Sequence, residues 1–184
     1  VIVGPRTEGL TCAPLRDEAR RAATRLQADG GRPVVYVTVA SEAYPVALFG
    51  AALAGTPFVP VSYRLATGPL GAILEEQSPA VLVAEADVLA LGADVAGEAI
   101  VPFDIPGFRA AVQDTAQFHA DAPDDDELPA VLLHTSGTTG KPKVAILRHR
   151  HLTSYVPGSV DFLSSDPDEA QLVAVPPYHI AGVA

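Results

Sequence analysis

Between Leu15 and Leu26 the apolar residues fall on one helical face (Leu15, Ala19, Ala22, Ala23, Leu26), while Arg16, Asp17, Arg20, Arg21 and Arg25 fall on the other. This predicts an amphipathic helix from about Leu15 to Ala28, with Asp17 and Arg21 as an i,i+4 pair and Asp29-Gly30-Gly31 as its stop. The arginines then form a solvated face rather than a basic patch. Val34 to Val39 is a run of β-formers without alternation, the pattern of a strand covered on both faces. Ser41 predicts the N-cap of a second helix reaching about Ala54, apolar nearly all round and therefore buried, with Gly55 ending it. Thr56 to Val61 reads as a short strand whose prolines place it near a sheet edge or at a strand end.

Further along, Thr67 predicts the cap of a helix to Gln77, and Ala80 to Ala84 is another apolar strand. A helix near Glu85 to Leu91, a strand at Ala99 to Pro102 and a helix near Phe108 to Asp114 follow. Strands and helices alternating at this spacing predict an α/β fold with a mainly parallel sheet flanked by helices. From His119 to Pro129 the pattern gives way to Asp121, Asp124, Asp125, Asp126 and Glu127. Without interleaved glycine this run reads as a solvated linker rather than a cation loop. Ala130 to His134 is a strand, and Val144 to Leu147 a returning one, so the two predict a hairpin. His149 to Ser164 begins like a helix that Pro157-Gly158 should kink or end, and Gln171 to Val175 is a last strand.

At 184 residues, 48% hydrophobic and 18% charged, the composition is that of roughly one globular domain. A formal net charge of −10 argues against nucleic acid or an anionic membrane as the main partner, so any phosphate site must be local. One cysteine, Cys12, rules out an internal disulfide and fits a reducing compartment. No apolar run approaches the roughly 20 residues of a transmembrane helix. The expected location is the cytosol. A start at Val1 and an end at Ala184 inside an apolar stretch suggest a piece of a longer protein.

Within the hairpin lies Thr135-Ser136-Gly137-Thr138-Thr139-Gly140-Lys141-Pro142-Lys143. Hydroxyls, bare glycine backbone and cationic tips suit a polyanion such as a triphosphate. Two other phosphate loops fail the comparison. Against GxxxxGK[ST], Thr135 stands where the first glycine belongs, and Pro142 where a magnesium-binding hydroxyl belongs. Against GxGxxG, Gly137 and Gly140 stand alone.

These nine residues resemble the signature loop of the adenylate-forming (AMP-binding) superfamily, which includes acyl-CoA and aryl-CoA synthetases, luciferases and peptide-synthetase adenylation domains. Leu10-Thr11-Cys12-Ala13-Pro14-Leu15 looks like its first motif, Leu53 to Val61 like its second and Val175 to Gly182 like its fourth, in the family's order. Pro-Pro-Tyr-His, ending at His179, matches Pro-x-x-His of the fatty-acyl or aryl CoA ligase branch rather than Phe-Asp-x-Ser of the peptide synthetases.

The resemblance implies ATP-dependent activation of a carboxylic acid, fatty or aryl, to an acyl-adenylate with pyrophosphate release, then thioesterification to CoA, with Mg2+. Thr135, Ser136, Gly137, Thr138, Thr139, Gly140, Lys141 and Lys143 would hold the phosphates, with Thr138 toward magnesium. Lys143 would meet charge that develops on the departing pyrophosphate, and Lys141 matches a variable position. His179 would lie near the carboxylate and adenylate, with Tyr178 beside the acid. For a lone histidine the bland reading is a packed core residue.

Val144 departs from the family's glycine and Arg148 from its threonine. Valine is harmful if the glycine's backbone is special and harmless if the position is an ordinary strand. His149 and His151 alternate as metal ligands would, but a helix start is the better reading. Tyr155, Phe162 and Tyr178 could line an acyl pocket or simply fill a core. On this resemblance residues 1–184 are the N-terminal portion of an AMP-binding domain with an acidic linker at about 119–129, inactive without the downstream remainder and the mobile C-terminal domain. The alternatives are a non-catalytic remnant and a fatty-acyl-AMP ligase loading a carrier protein. Homo-oligomerisation is left open.

Overall fold

A computed structural model describes residues 10–116, 123–135, 143–159 and 175–183. The expected strand over Gln171–Val175 and the aromatic Phe162 therefore fall wholly or mostly outside the described residues.

Six strands form one sheet in the order β4-β3-β1-β2-β5-β6 among the described residues. They are β1 (Val34–Val37), β2 (Phe58–Pro60), β3 (Ala80–Ala84), β4 (Ile100–Phe103), β5 (Pro129–Thr135) and β6 (Lys143–Arg148). Every neighbouring pair is parallel except β5 and β6, which are antiparallel. The predicted parallel α/β sheet and the predicted hairpin are both present.

Double burial explains the missing alternation. On β1, Val34 and Tyr36 face one core cluster, and Val35 and Val37 the other. The first cluster packs under α1 (Cys12–Ala28), α2 (Ala43–Ala54) and α5 (Ile105–Gln113), through Leu26, Val46 and Phe108. The second packs under α3 (Thr67–Glu76) and α4 (Ala86–Ala96), through Ile73, Leu74 and Val88. The α1–α2 crossing is close: a Cβ on Gly50 would sit 2.6 Å from the Cβ of Ala22.

Several local expectations are corrected. β2 is not at an edge; it lies between β1 and β5, and its prolines mark its ends, Pro57 just before it and Pro60 as its last residue. Asp17 pairs with its neighbour Arg16 at 3.5 Å rather than with Arg21, whose guanidinium donates to the Thr115 carbonyl beyond α5. The i,i+4 pair of α1 is Arg25–Asp29, with contacts of 3.0 and 2.7 Å. At α2 the N-cap position is Glu42; Ser41 still helps, its hydroxyl accepting from the Ala43 N–H at 3.3 Å. The helix is not buried all round, for Phe49 is 49% exposed. Thr67 is the first residue of α3, not its cap; Ala66 is, and it offers no side-chain bond. α5 begins earlier than expected because Asp104 caps it, accepting from the Gly107 N–H at 2.7 Å. Pro106 in its first turn loses no helical bond.

The final helix, α6 (His149–Ser159), runs through Pro157 instead of stopping there. Pro157 lies in the last turn, where the missing N–H costs one bond and leaves the earlier turns intact. The described part of the acidic run is exposed but not wholly solvated. Glu127 pairs with Arg150 at 2.6 Å and Arg148 at 3.5 Å, and its carbonyl accepts from Arg148. Among the described residues no helix is long and apolar enough to cross a membrane.

Candidate functional site at the strand ends

Parallel strands bring their carboxyl ends to one side of the sheet, where α/β proteins place ligands. Here β2 and β5 deliver Pro60 and Thr135 to that side. Thr135 and Lys143 form the last pair of the β5–β6 ladder, and the Thr135 hydroxyl donates to the Lys143 carbonyl at 3.2 Å. Both side chains are exposed. The hairpin thus fixes the base of the nine-residue loop. Ser136, Gly137, Thr138, Thr139, Gly140 and Lys141 lie outside the described residues.

Val144 pairs with His134 inside the antiparallel ladder. That is an ordinary strand position, where a β-branched residue is favoured.

A cavity of about 140 Å³ opens at these strand ends, lined by Val61, Ser62, Leu65, His134, Thr135 and Tyr178 among others. Two of the expected site residues, Thr135 and Tyr178, therefore meet in one place although 43 positions separate them. His179 follows directly and is exposed, its ring 5.1 Å from that of Tyr178. Tyr178 also packs edge-on to Tyr63 at 5.8 Å.

The turn that carries them is tightly built. The His179 N–H donates to the Pro176 carbonyl at 3.1 Å, and Ile180–Gly182 adds a short 3-10 turn. A Cβ at position 182 would approach the Pro176 carbonyl oxygen to 2.7 Å, so glycine is required there. From the far side Tyr44 donates to the Pro177 carbonyl at 2.7 Å.

His134 was legible only as a strand end. Its two ring nitrogens are buried, and neither has a hydrogen-bond partner. Burial lowers its pKa from the ordinary value, against a smaller upward pull from Glu76, so the ring is held neutral. The signal available in the sequence was a polar residue ending an apolar strand just before the loop. Tyr36, below Tyr44, has its hydroxyl pushed up to about 12 by burial first and by Glu85, against a hydrogen bond with Ser41 that lowers it.

A larger cavity of about 420 Å³ lies among α1, α2 and α6, lined by Leu15, Phe49, Leu53 and His149 among others. It shares no lining residue with the strand-end site. Among the described residues no three His, Cys, Asp or Glu side chains converge as a metal site. His151 instead accepts from the Arg148 N–H at 3.1 Å, which suits the helix-start reading of this pair. The magnesium position expected at Thr138 is outside the described residues.

Comparison with known proteins agrees with the loop. The model of the AMP-binding enzyme family matches residues 1–184. The chain is 31% identical over 186 residues to a fatty acid–[acyl-carrier-protein] ligase, ScoC, of Streptomyces coeruleorubidus, covering 95% of this chain and 36% of that protein. It is 31% identical over 177 residues to a feruloyl-CoA synthase of an Amycolatopsis species, covering 95% and 35%. Among solved structures, apo MatB from Rhodopseudomonas palustris superposes with a TM-score of 0.82 at 25% identity, covering 97% of this chain and 37% of that one. The chain thus spans about a third of the length of these two curated relatives.

Proposed function

We propose, from the premise that this chain belongs to the AMP-binding enzyme family, that it is the N-terminal portion of a cytosolic ligase that activates a carboxylic acid with ATP. The acid's carboxylate attacks the α-phosphate, an acyl-adenylate forms, pyrophosphate departs, and the acyl group passes to CoA. One observation supports this reading: Thr135, paired with Lys143 at the end of the β5–β6 ladder, shares a cavity with Tyr178 at the carboxyl ends of parallel strands.

In this reading Gly137 and Gly140 admit phosphate oxygens close to the backbone, and the hydroxyls of Thr135, Ser136, Thr138 and Thr139 donate to them. Lys143 neutralises charge that grows on the leaving pyrophosphate, with Lys141 secondary. Tyr178 and His179 face the acid and the adenylate. Magnesium is a hard cation that keeps water and phosphate oxygens as ligands. In this reading the Thr138 hydroxyl lies toward that ion.

A carrier protein as acyl acceptor is the second reading, supported by the 31% identity to a ligase named for that acceptor. For a non-catalytic remnant the argument from Val144 weakens, since it occupies a strand position that suits valine.

The test is carboxylate-dependent ATP–pyrophosphate exchange, run on the full-length protein and on residues 1–184 alone. Full-length protein is expected to exchange, and Lys143→Ala to slow it by roughly a hundredfold. Robust exchange by the short chain would overturn the view that downstream elements are required. Product analysis with CoA against acyl carrier protein separates the two acceptors.

A further inference from the structure

The turn bearing Tyr178 and His179 is held from the opposite end of the sequence. Tyr44, in the first turn of α2, donates its phenolic O–H to the Pro177 carbonyl at 2.7 Å in buried surroundings, across 133 positions. Its ring is fixed edge-on against both Tyr36 and Phe58, each at 5.2 Å. Residues around it are anchored too: Ser41 shares a 2.9 Å hydrogen bond with the Tyr36 hydroxyl, and Glu42 accepts from Arg109 at 2.7 Å. The start of α2 is therefore tied to β1, to α5 and to the Pro176–His179 turn at once.

The two prolines of that turn present their carbonyls to different partners. The Pro176 oxygen closes the turn locally by accepting from the His179 N–H. The Pro177 oxygen looks inward to Tyr44. Because a peptide group is planar, fixing the Pro177 carbonyl also fixes the N–H of Tyr178 and the direction in which the chain leaves for His179. Burial holds the Tyr44 hydroxyl far above its ordinary range, so it stays a donor at any working pH.

We infer that Tyr44 is a positioning residue for the acid-binding turn: its O–H orients the Pro177–Tyr178 peptide and so sets where Tyr178 and His179 meet the substrate. This rests on the reading that His179 adjoins the acyl carboxylate. Tyr44 touches no substrate; it acts through the turn. Misplacing a reacting contact by about an ångström costs roughly a hundredfold in rate, so a single anchoring bond to this turn has a kinetic signature.

The experiment compares Tyr44→Phe and Tyr36→Phe in the full-length protein. Phenylalanine keeps each ring in the core and removes one hydroxyl, so both variants should melt close to wild type. Tyr44→Phe is expected to lower kcat/KM for the acid by roughly tenfold to a hundredfold. KM for ATP should stay within about twofold, since the phosphate loop hangs from a different element. Amide hydrogen exchange at His179, Gly182 and Val183 should quicken by about tenfold. Tyr36→Phe breaks the bond to Ser41 and spares Pro177, so it should change none of these readouts. Unchanged acid kinetics and unchanged exchange in Tyr44→Phe overturn the inference, and so do equal losses from Tyr36→Phe. A wild-type protein without carboxylate-dependent pyrophosphate exchange overturns the functional reading instead. The hydrogen-exchange comparison then decides alone whether Tyr44 holds the turn.

Discussion

The guanidinium of Arg109 donates to Glu42 at 2.7 Å, and its second terminal nitrogen donates to Glu18 at 2.9 Å. One side chain of α5 thereby clamps α1 and the start of α2. All three side chains are mostly covered, Arg109 being 22% exposed. Arg109→Ala would leave two largely desolvated carboxylates without a counter-charge, at a cost of about 3 kcal/mol. Urea unfolding measures it, and a loss below about 1 kcal/mol would place this triad with ordinary surface pairs.

The burial of His134 predicts the sign of a pH dependence. Burial holds its folded pKa below the ordinary value of 6.5, so on acidification the unfolded chain takes up the proton first. Its contribution to stability is full above 6.5 and declines as pH falls below that value. The urea midpoint of His134→Phe, measured from about pH 8 to 5, should fall less steeply than wild type. Parallel curves would mean that another group carries the slope.

Gly50 reports on the α1–α2 contact. Gly50→Ala would force its new methyl into Ala22, 2.6 Å away, and should destabilise by about 1–3 kcal/mol. Adding Ala22→Gly removes the obstructing atom and should restore a large part of the loss. Equal stability of the single and double variants would show that the helices relax apart instead.

Val144 tests whether the departure from the family glycine matters. Since it pairs with His134 in the ladder, Val144→Gly should weaken the hairpin by about 1 kcal/mol without raising pyrophosphate exchange. A faster Val144→Gly enzyme would show that the loop needs the freedom of glycine at that point.

The fold was legible where burial leaves a direct trace in composition. β3 reads as Ala80–Ala84 from its apolar run alone, because both of its faces are covered. The errors arose where a distant partner outranked a local rule. Arg21 could have paired with Asp17, but the Thr115 carbonyl was within reach. The prolines of β2 suggested an edge, yet they fall at its ends, where a central strand tolerates them. Phe49 looked as apolar as its neighbours; which face of α2 meets the sheet is decided by α1 and β1, not by α2. At the site, the motifs named Thr135, Tyr178 and His179, and the structure brings Thr135 and Tyr178 to one cavity. The motifs could not name Tyr44, since a bond across 133 positions leaves no local pattern, and His134 showed only as a polar residue at the end of an apolar strand.

If the loop binds phosphate as proposed, the ladder pair Thr135–Lys143 has a thermodynamic consequence for that ligand. Bringing the two ends of a chain segment together carries an entropy cost, which for a free peptide would be charged against each binding event. Here β5 and β6 meet that cost during folding, in the same ladder that seats Val144 opposite His134. A ligand held as proposed would then not have that closure cost charged against its affinity. A hairpin one pair shorter would return part of the closure cost to the ligand, and the loss would appear in affinity before it appeared in the melting temperature.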